Sequence, residues 1–260
     1  MKKIICLLSL LSLLVIFAGC SNGSSSSKKA EDPIIANIKK TKVLTVGTDA
    51  TFPPFEYKNN GEYTGFDIDL VKAVAKKLGA DKVKFVDTEF NGLVPGLQAK
   101  KFDMIVSAMY ITPERQKAID FSDSYYPGGL SILVNKNNTS INTLKDLEGK
   151  KIAVQVGTKS VDFLKENLKK PNLTQVDTNN AMFLELQTKK VDAVVTGLPA
   201  AKVYAKSHSS VKVLPETLTN ENYGYGIRKD NKGLTKAVNK ALKALKKDGE
   251  YSKIEKKWFE

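Results

Sequence analysis

From Lys42 onward, short apolar runs alternate with stretches of helical periodicity. Val43-Leu44-Thr45-Val46-Gly47 reads as a strand. From Gly65 to Leu78, the positions Ile68, Val71, Ala75 and Leu78 fall on one helical face. Val83 to Val86 predicts a second strand and Gly92 to Gln98 a short helix. Met104-Ile105-Val106 is continuously apolar, as a strand covered on both faces must be. Thr112 before Pro113 predicts a helix to Ile119, with Thr as N-cap and Pro at the first helical position. The pattern then restarts with a short helix at Leu144 to Leu147, a strand at Lys151 to Val156 and a helix at Ser160 to Leu168. Ala181 to Thr188, Val191 to Val195, Leu198 to Lys206 and Val211 to Leu214 continue it. After Tyr223 to Ile227 come two helices, Leu234 to Lys247 and Tyr251 to Phe259. Strands alternating with helices of this length point to parallel α/β units. Two such sets, without a repeat of fixed period, fit two lobes better than one long sheet.

The start of the chain follows another logic. Lys2 and Lys3 precede an uncharged run from Ile4 to Phe17, and the small residues Ala18 and Gly19 precede Cys20. This is the layout of a secretory signal peptide, and the run is shorter than the ~20 residues that span a bilayer. Phe17-Ala18-Gly19-Cys20 resembles the bacterial lipobox, in which the cysteine is lipidated and becomes the first mature residue; Phe17 stands where an aliphatic residue is usual. Residues 1–19 are therefore expected to be a lipoprotein signal peptide and Cys20 the lipid-bearing residue. The Ser-rich stretch from Ser21 to Asp32 predicts a flexible tether, taken here as residues 20–40. Cys6 lies in the removed segment, so the mature chain holds neither free thiol nor disulfide.

Composition narrows the chemistry. Of 260 residues, 41 are Lys or Arg and 28 Asp or Glu, a net charge of +13, yet there are only two Cys and one His. That excludes a multi-cysteine zinc site or a disulfide scaffold, and no metal or cofactor is expected. There is no Ser-His-Asp order and no phosphate loop. His208 sits in the polar run Lys206 to Ser210 and reads as an exposed loop residue. The lysines, such as Lys236, Lys240, Lys243, Lys246 and Lys247, space out as solvated helix faces, and a signal peptide argues against a nucleic-acid partner. A sensory ectodomain needs a transmembrane helix and a signalling module, which the sequence does not carry.

Four stretches in order then carry a specific resemblance: Gly47 to Tyr57 (GTDATFPPFEY), Gly61 to Leu70 (GEYTGFDIDL), Phe90 to Tyr126, and Asp248 to Phe259 (DGEYSKIEKKWF). Together they identify Lys42 to Glu260 as similar to the amino-acid-binding solute receptors of ABC importers, in their polar amino-acid cluster. The resemblance implies an α/β, two-lobed periplasmic-binding-protein type II fold, with two crossing strands and the ligand cleft between the lobes. It implies a first lobe of residues 41–126 and 224–260 and a second of residues 127–223.

It also implies roles. Arg115, in Thr112-Pro113-Glu114-Arg115, occupies the position that grips the ligand carboxylate, for which its planar fork is suited. Ser107, Ala108 and Tyr110 lie where the family offers backbone groups and a hydroxyl; Tyr110 replaces the more usual Thr or Ser. Gln155 and Thr158 flank Gly157 at a strand-to-helix turn whose N–H groups favour an anion. Asp49, Phe52 and Phe90 match the side-chain pocket, a carboxylate between aromatic faces that suits a cationic or amide side chain. Gly197 stands where the family has the Asp that pairs with the α-ammonium; another acid such as Glu185 or Asp49, backbone carbonyls and water, or an unusual ligand must then serve. No catalytic residue is implied. The expected partners are a polar amino acid, the permease and ATPase of the importer, and the membrane through a lipid anchor on the extracytoplasmic face, with the receptor itself a monomer. The alternatives are a same-fold receptor for a non-standard amino acid or small carboxylate, and a cyclohexadienyl dehydratase-like enzyme.

Overall fold

A computed structural model describes residues 32–260. The expected signal peptide, the lipidation at Cys20 and the first part of the tether lie outside those residues. Asp32 caps the first helix, its carboxylate accepting from the Ile34 amide at 2.9 Å. The first part of the chain runs α1 (Pro33–Thr41), β1 (Val43–Thr48), β2 (Thr51–Phe52), β3 (Glu56–Asn59), β4 (Glu62–Thr64), α2 (Phe66–Leu78), β5 (Lys82–Asp87), α3 (Phe90–Gln98), β6 (Met104–Ile105), α4 (Pro113–Ala118) and β7 (Asp120–Phe121). A short β8 (Tyr126–Pro127) follows. Next come β9 (Leu130–Asn135), a single 3-10 turn at Leu144–Leu147, β10 (Lys151–Gln155), α5 (Lys159–Asn167), β11 (Asn172–Val176), α6 (Asn179–Gln187), β12 (Ala193–Gly197), α7 (Leu198–Ser207) and β13 (Val211–Thr217). The chain returns through β14 (Asn222–Tyr223) and β15 (Gly226–Ile227) to α8 (Lys232–Lys247) and α9 (Glu250–Phe259).

α1 corrects the expected tether. Residues 33–40, included in its bounds beyond the Ser-rich stretch, belong to this helix, because Ile35 and Ile38 are one turn apart and both buried.

Two five-stranded sheets make the two lobes. In the first the order is β5-β1-β6-β15-β7; β1 runs parallel to β5 and β6, whereas β15 is antiparallel to β6 and β7. The second, β11-β10-β12-β9-β13, repeats the mixture: β10 is parallel to β11 and β12, and β9 is antiparallel to β12 and β13. Each lobe is therefore a parallel α/β unit completed by antiparallel strands. Between them β8 and β14 pair antiparallel, Tyr126 opposite Tyr223. The hairpin strands β2, β3 and β4 form a small third layer on the first lobe, turning at Asn60 and Gly61, both with positive φ.

α2 presents Ile68, Val71, Ala75 and Leu78 to the core as the periodicity predicts, and Gly79 ends it in a left-handed cap. α8 buries Leu234, Val238, Ala241, Leu242 and Leu245, while its lysines stand on the opposite face. Among the described residues no helix is long and apolar enough to cross a membrane.

Candidate functional site

In sheets built from parallel strands, binding crevices form at the strands' carboxyl ends, where successive loops diverge. Here two such ends face each other. β1 delivers Asp49, and β6 delivers Ser107 and Ala108; opposite them, β10 ends at Gln155 and β12 at Thr196 and Gly197. The cavity between them is lined by residues of both lobes. Nine of the ten ligand-contact positions implied by the sequence line it: Asp49, Phe52, Phe90, Ser107, Ala108, Tyr110, Gln155, Thr158 and Gly197. Arg115 does not.

Arg115 adjoins the cavity instead. Its Nη1 donates to the Tyr110 carbonyl at 3.0 Å and its Nη2 to the Gly157 carbonyl of the other lobe at 3.2 Å. The guanidinium lies 5.3 Å from the centre of the Phe90 ring, a cation–π distance. Lost hydration lowers its pKa to about 10, so it stays a cation at neutral pH. Gly157 itself has φ +74, and a Cβ there would press on Asn91 Cβ at 2.9 Å. Glycine thus permits both the turn into α5 and the close approach of the lobes.

The main polar bridge joins Asp49 to Gln155. One Asp49 oxygen accepts from Thr51 Oγ1 at 2.9 Å, and the other accepts a short hydrogen bond from Gln155 Nε2. Gln155 is oriented by Asn179, whose Nδ2 donates to Gln155 Oε1 at 2.9 Å, and by its own bond to the Asp177 carbonyl. Asn179 also donates to Thr51 Oγ1 at 3.3 Å. Four side chains, two from each lobe, thus satisfy one another out of water.

Beneath them lies a second acidic group. Glu56 on β3 lines the cavity and is fully buried; its Oε1 accepts from Ser107 Oγ at 3.2 Å. Its other oxygen faces the Asp67 carboxyl, which also accepts from the Ala108 amide at 2.9 Å and the Tyr125 hydroxyl at 2.7 Å. Two adjacent buried carboxyls cannot both ionise cheaply. Burial, reinforced by the Asp67 charge, holds Glu56 well above the usual carboxylate range, and a proton on Glu56 supplies the missing donor between them. Ala108 keeps φ +37 because its amide is pinned to Asp67.

Burial likewise pushes Asp49 up to about 6, with the charges of Asp87 and Glu89 adding to it and the Thr51 and Gln155 bonds opposing it. The folded carboxyl then binds its proton more tightly than the unfolded one, so its contribution to stability is complete below pH 4 and is lost as pH rises through 6. Asp49→Asn should remove this dependence. Between pH 4 and 7 the unliganded variant is expected to gain ~2–3 kcal/mol on the parent, read from chemical denaturation at each pH. A stability gap that does not change with pH would exclude the shift.

The sequence reading missed Glu56, Asn179, Thr196 and Tyr223, all of which line the cavity. It also offered Glu185 as a substitute acid, which the structure corrects: Glu185 lies on α6, pairs with Lys190 at 3.3 Å and does not line the cavity. His208 stacks on Tyr204 with ring centres 4.0 Å apart, in a different groove.

Comparison with known proteins agrees with this architecture. The arginine-binding extracellular protein ArtP of Bacillus subtilis is 35% identical over 264 aligned positions, covering 100% of this chain and 98% of that one. A probable histidine-binding protein of Campylobacter jejuni is 37% identical, covering 96% and 97%. Among solved structures, an ancestral arginine-binding protein bound to glutamine superposes with a TM-score of 0.80 at 47% identity, over 84% of this chain and 98% of that one. The ancestral amino-acid-binding protein AncCDT-1, a precursor of cyclohexadienyl dehydratase, superposes with a TM-score of 0.83 at 46% identity, over 87% and 100%. Residues 44–260 match the model of one family throughout, and the chain belongs to the bacterial extracellular solute-binding proteins, family 3.

Proposed function

We propose that this chain is the substrate-binding lipoprotein of an ABC amino-acid importer and captures a polar L-amino acid, basic or amide, by closing its two lobes. The observation that carries the reading is the bond from Gln155 of one lobe to Asp49 of the other, inside a cavity walled by Phe52 and Phe90. A ligand guanidinium, ammonium or amide takes the place of the Gln155 amide as donor to Asp49, between aromatic faces that favour a cation. The ligand carboxylate goes to Arg115 and the N-terminal turn of α5 beside Thr158, whose free amides favour an anion. Because those contacts come from both lobes, binding shifts an open–closed equilibrium toward closed, and the closed form is what the permease and its ATPase receive.

Cleavage after Gly19 and lipidation of Cys20 anchor the receptor on the outer face of the membrane, with the remaining Ser-rich segment as tether. Ligand contacts are assigned to Asp49, Phe52, Phe90, Ser107, Ala108, Tyr110, Arg115, Gln155 and Thr158, with Gly197 shaping the wall. A thermal-shift screen against the twenty amino acids tests the reading. At least one basic or amide amino acid is expected to raise Tm, since a ligand at 100 times its Kd adds about 2.7 kcal/mol to the native state. A screen without a single stabilising amino acid would reject it.

A further inference from the structure

Gly197 ends β12 at the cavity wall, and three large side chains crowd it. A Cβ built there would overlap the Tyr223 hydroxyl oxygen, with Phe52 Cζ and Tyr110 Oη both at 3.2 Å. The two tyrosines are fixed to one another. Tyr110 and Tyr223 bridge as backbone partners, and their ring centres are 4.6 Å apart. Tyr223 Oη donates to Tyr110 Oη at 3.2 Å, which donates to the Gly129 carbonyl at 2.8 Å. Burial raises both phenols far above neutrality, so this corner carries hydroxyls and no charge.

The cavity's acidic groups lie elsewhere and are committed. Asp49 is held between Thr51 and Gln155, and Glu56 between Ser107 and Asp67. A ligand cation reaches Asp49 by displacing a neutral amide; reaching Glu56 means breaking a buried acid pair. Arg115 adjoins the cavity, and Lys159 lines it with its ammonium 3.8 Å from Glu166, so a cation for a ligand carboxylate is at hand. The site is built to match one carboxylate and one cationic or amide end, and among the described lining residues no uncommitted carboxylate remains for a second cation.

We propose that Gly197, Tyr110 and Tyr223 form a specificity corner that dispenses with the α-ammonium, so that the receptor's ligand class includes ω-guanidino, ω-amino and ω-amido carboxylates. The inference rests on the amino-acid cleft proposed above. A carboxylate that read the α-ammonium through a buried charge-assisted bond would add about 1.5–3 kcal/mol, or roughly 10- to 150-fold in affinity; the phenol oxygens offer lone pairs but no counter-charge to offset the desolvation of an ammonium.

Calorimetry with matched pairs decides. L-arginine and L-glutamine are each titrated beside the desamino counterpart, which carries hydrogen in place of the α-ammonium. The expected result is that the desamino compound binds within about tenfold of its parent or more tightly. A loss well beyond tenfold, with the parent amino acid still binding, would overturn the inference and leave the amino-acid cleft standing. Silence from both members of both pairs, with no amino acid raising Tm in the thermal-shift screen, would overturn both readings together; where the screen finds another basic or amide ligand, that ligand and its desamino counterpart form the deciding pair.

A double variant gives an independent readout. Tyr223→Phe removes the oxygen that a side chain at 197 meets first, and Gly197→Asp then supplies a carboxylate. In a variant whose thermal melt is cooperative, the preference for the α-amino member of a pair should rise at least about tenfold. An unchanged ratio in that folded variant would overturn the role of the corner.

Discussion

Arg115→Ala is expected to weaken binding of the cognate ligand by about 30- to 1000-fold, or roughly 2–4 kcal/mol. Two of its donors hold the Tyr110 and Gly157 carbonyls, and a guanidinium has five N–H groups, so the remainder are free for a carboxylate. The variant loses the charge-assisted bonds to the ligand and also the bond that ties the lobes together at Gly157. Arg115→Lys separates the two contributions. Lysine retains the charge but not the planar fork, and it cannot hold both carbonyls and a carboxylate together. An intermediate Kd, about tenfold above the parent, is expected for it. Calorimetry reads both. A Kd within twofold of the parent for Arg115→Ala would move the carboxylate to the α5 amides alone.

The helices and most of the parallel strands of this fold were legible because each shows its burial in its own sequence. β1, α2, β6 and α8 all sit where periodicity places them. Two strands of the second sheet were less visible, for different reasons, the parallel edge strand β11 and the antiparallel β9. β11, Asn172–Val176, is an edge strand with no fully buried residue, and its pattern has no apolar face to detect. β9, Leu130–Asn135, is buried along almost its whole length, and its apolar run was available to read. Its position, where the chain changes lobes between two sets of alternation, sets it outside the strand–helix pattern on either side. The hairpin of β3 and β4 carried a signal too, since Asn60-Gly61 between short polar strands is the pair a tight turn with two positive φ values requires.

The site divides in the same manner. Asp49, Phe52, Ser107, Gln155 and Thr158 follow strand ends, and motif resemblance reached them. Glu56 and Asn179 were invisible because what buries them is remote. Glu56 is held by Ser107 and Asp67, and Asn179 by Thr51 and Gln155, partners up to 128 residues away. In sequence Glu56 stands between Phe55 and Tyr57 and Asn179 between Thr178 and Asn180, and neither setting names the remote partners. The crowding at Gly197 is likewise tertiary: glycine there makes sense only once Tyr223 of β14 and Tyr110 of the segment before α4 converge on it.

Phe55→Ala should have the largest effect on stability, about 3–5 kcal/mol. Phe55 is fully buried at the junction of five aromatic rings: Phe52, Phe66, Tyr126, Tyr223 and Phe259, with centres 5.2 to 6.0 Å away. These come from the cavity wall, α2, both crossing strands and the end of α9, so a single cavity there loosens every element that meets at the lobe junction. The ring's removal forfeits its buried area and leaves a void that surrounding rings in two different layers cannot jointly fill. At a few degrees per kcal/mol for a chain of this size, Tm should fall by about 10 °C. Phe55→Leu, which keeps most of the volume, should cost under about 1.5 kcal/mol. Ligand affinity measured well below Tm should weaken as well, by less than in Arg115→Ala, because Phe52 stacks on Phe55 at 5.6 Å and lines the cavity on its other side. Thermal melts followed by circular dichroism test the ranking, and a Tm within about 2 °C of the parent for Phe55→Ala would show that the junction is held elsewhere.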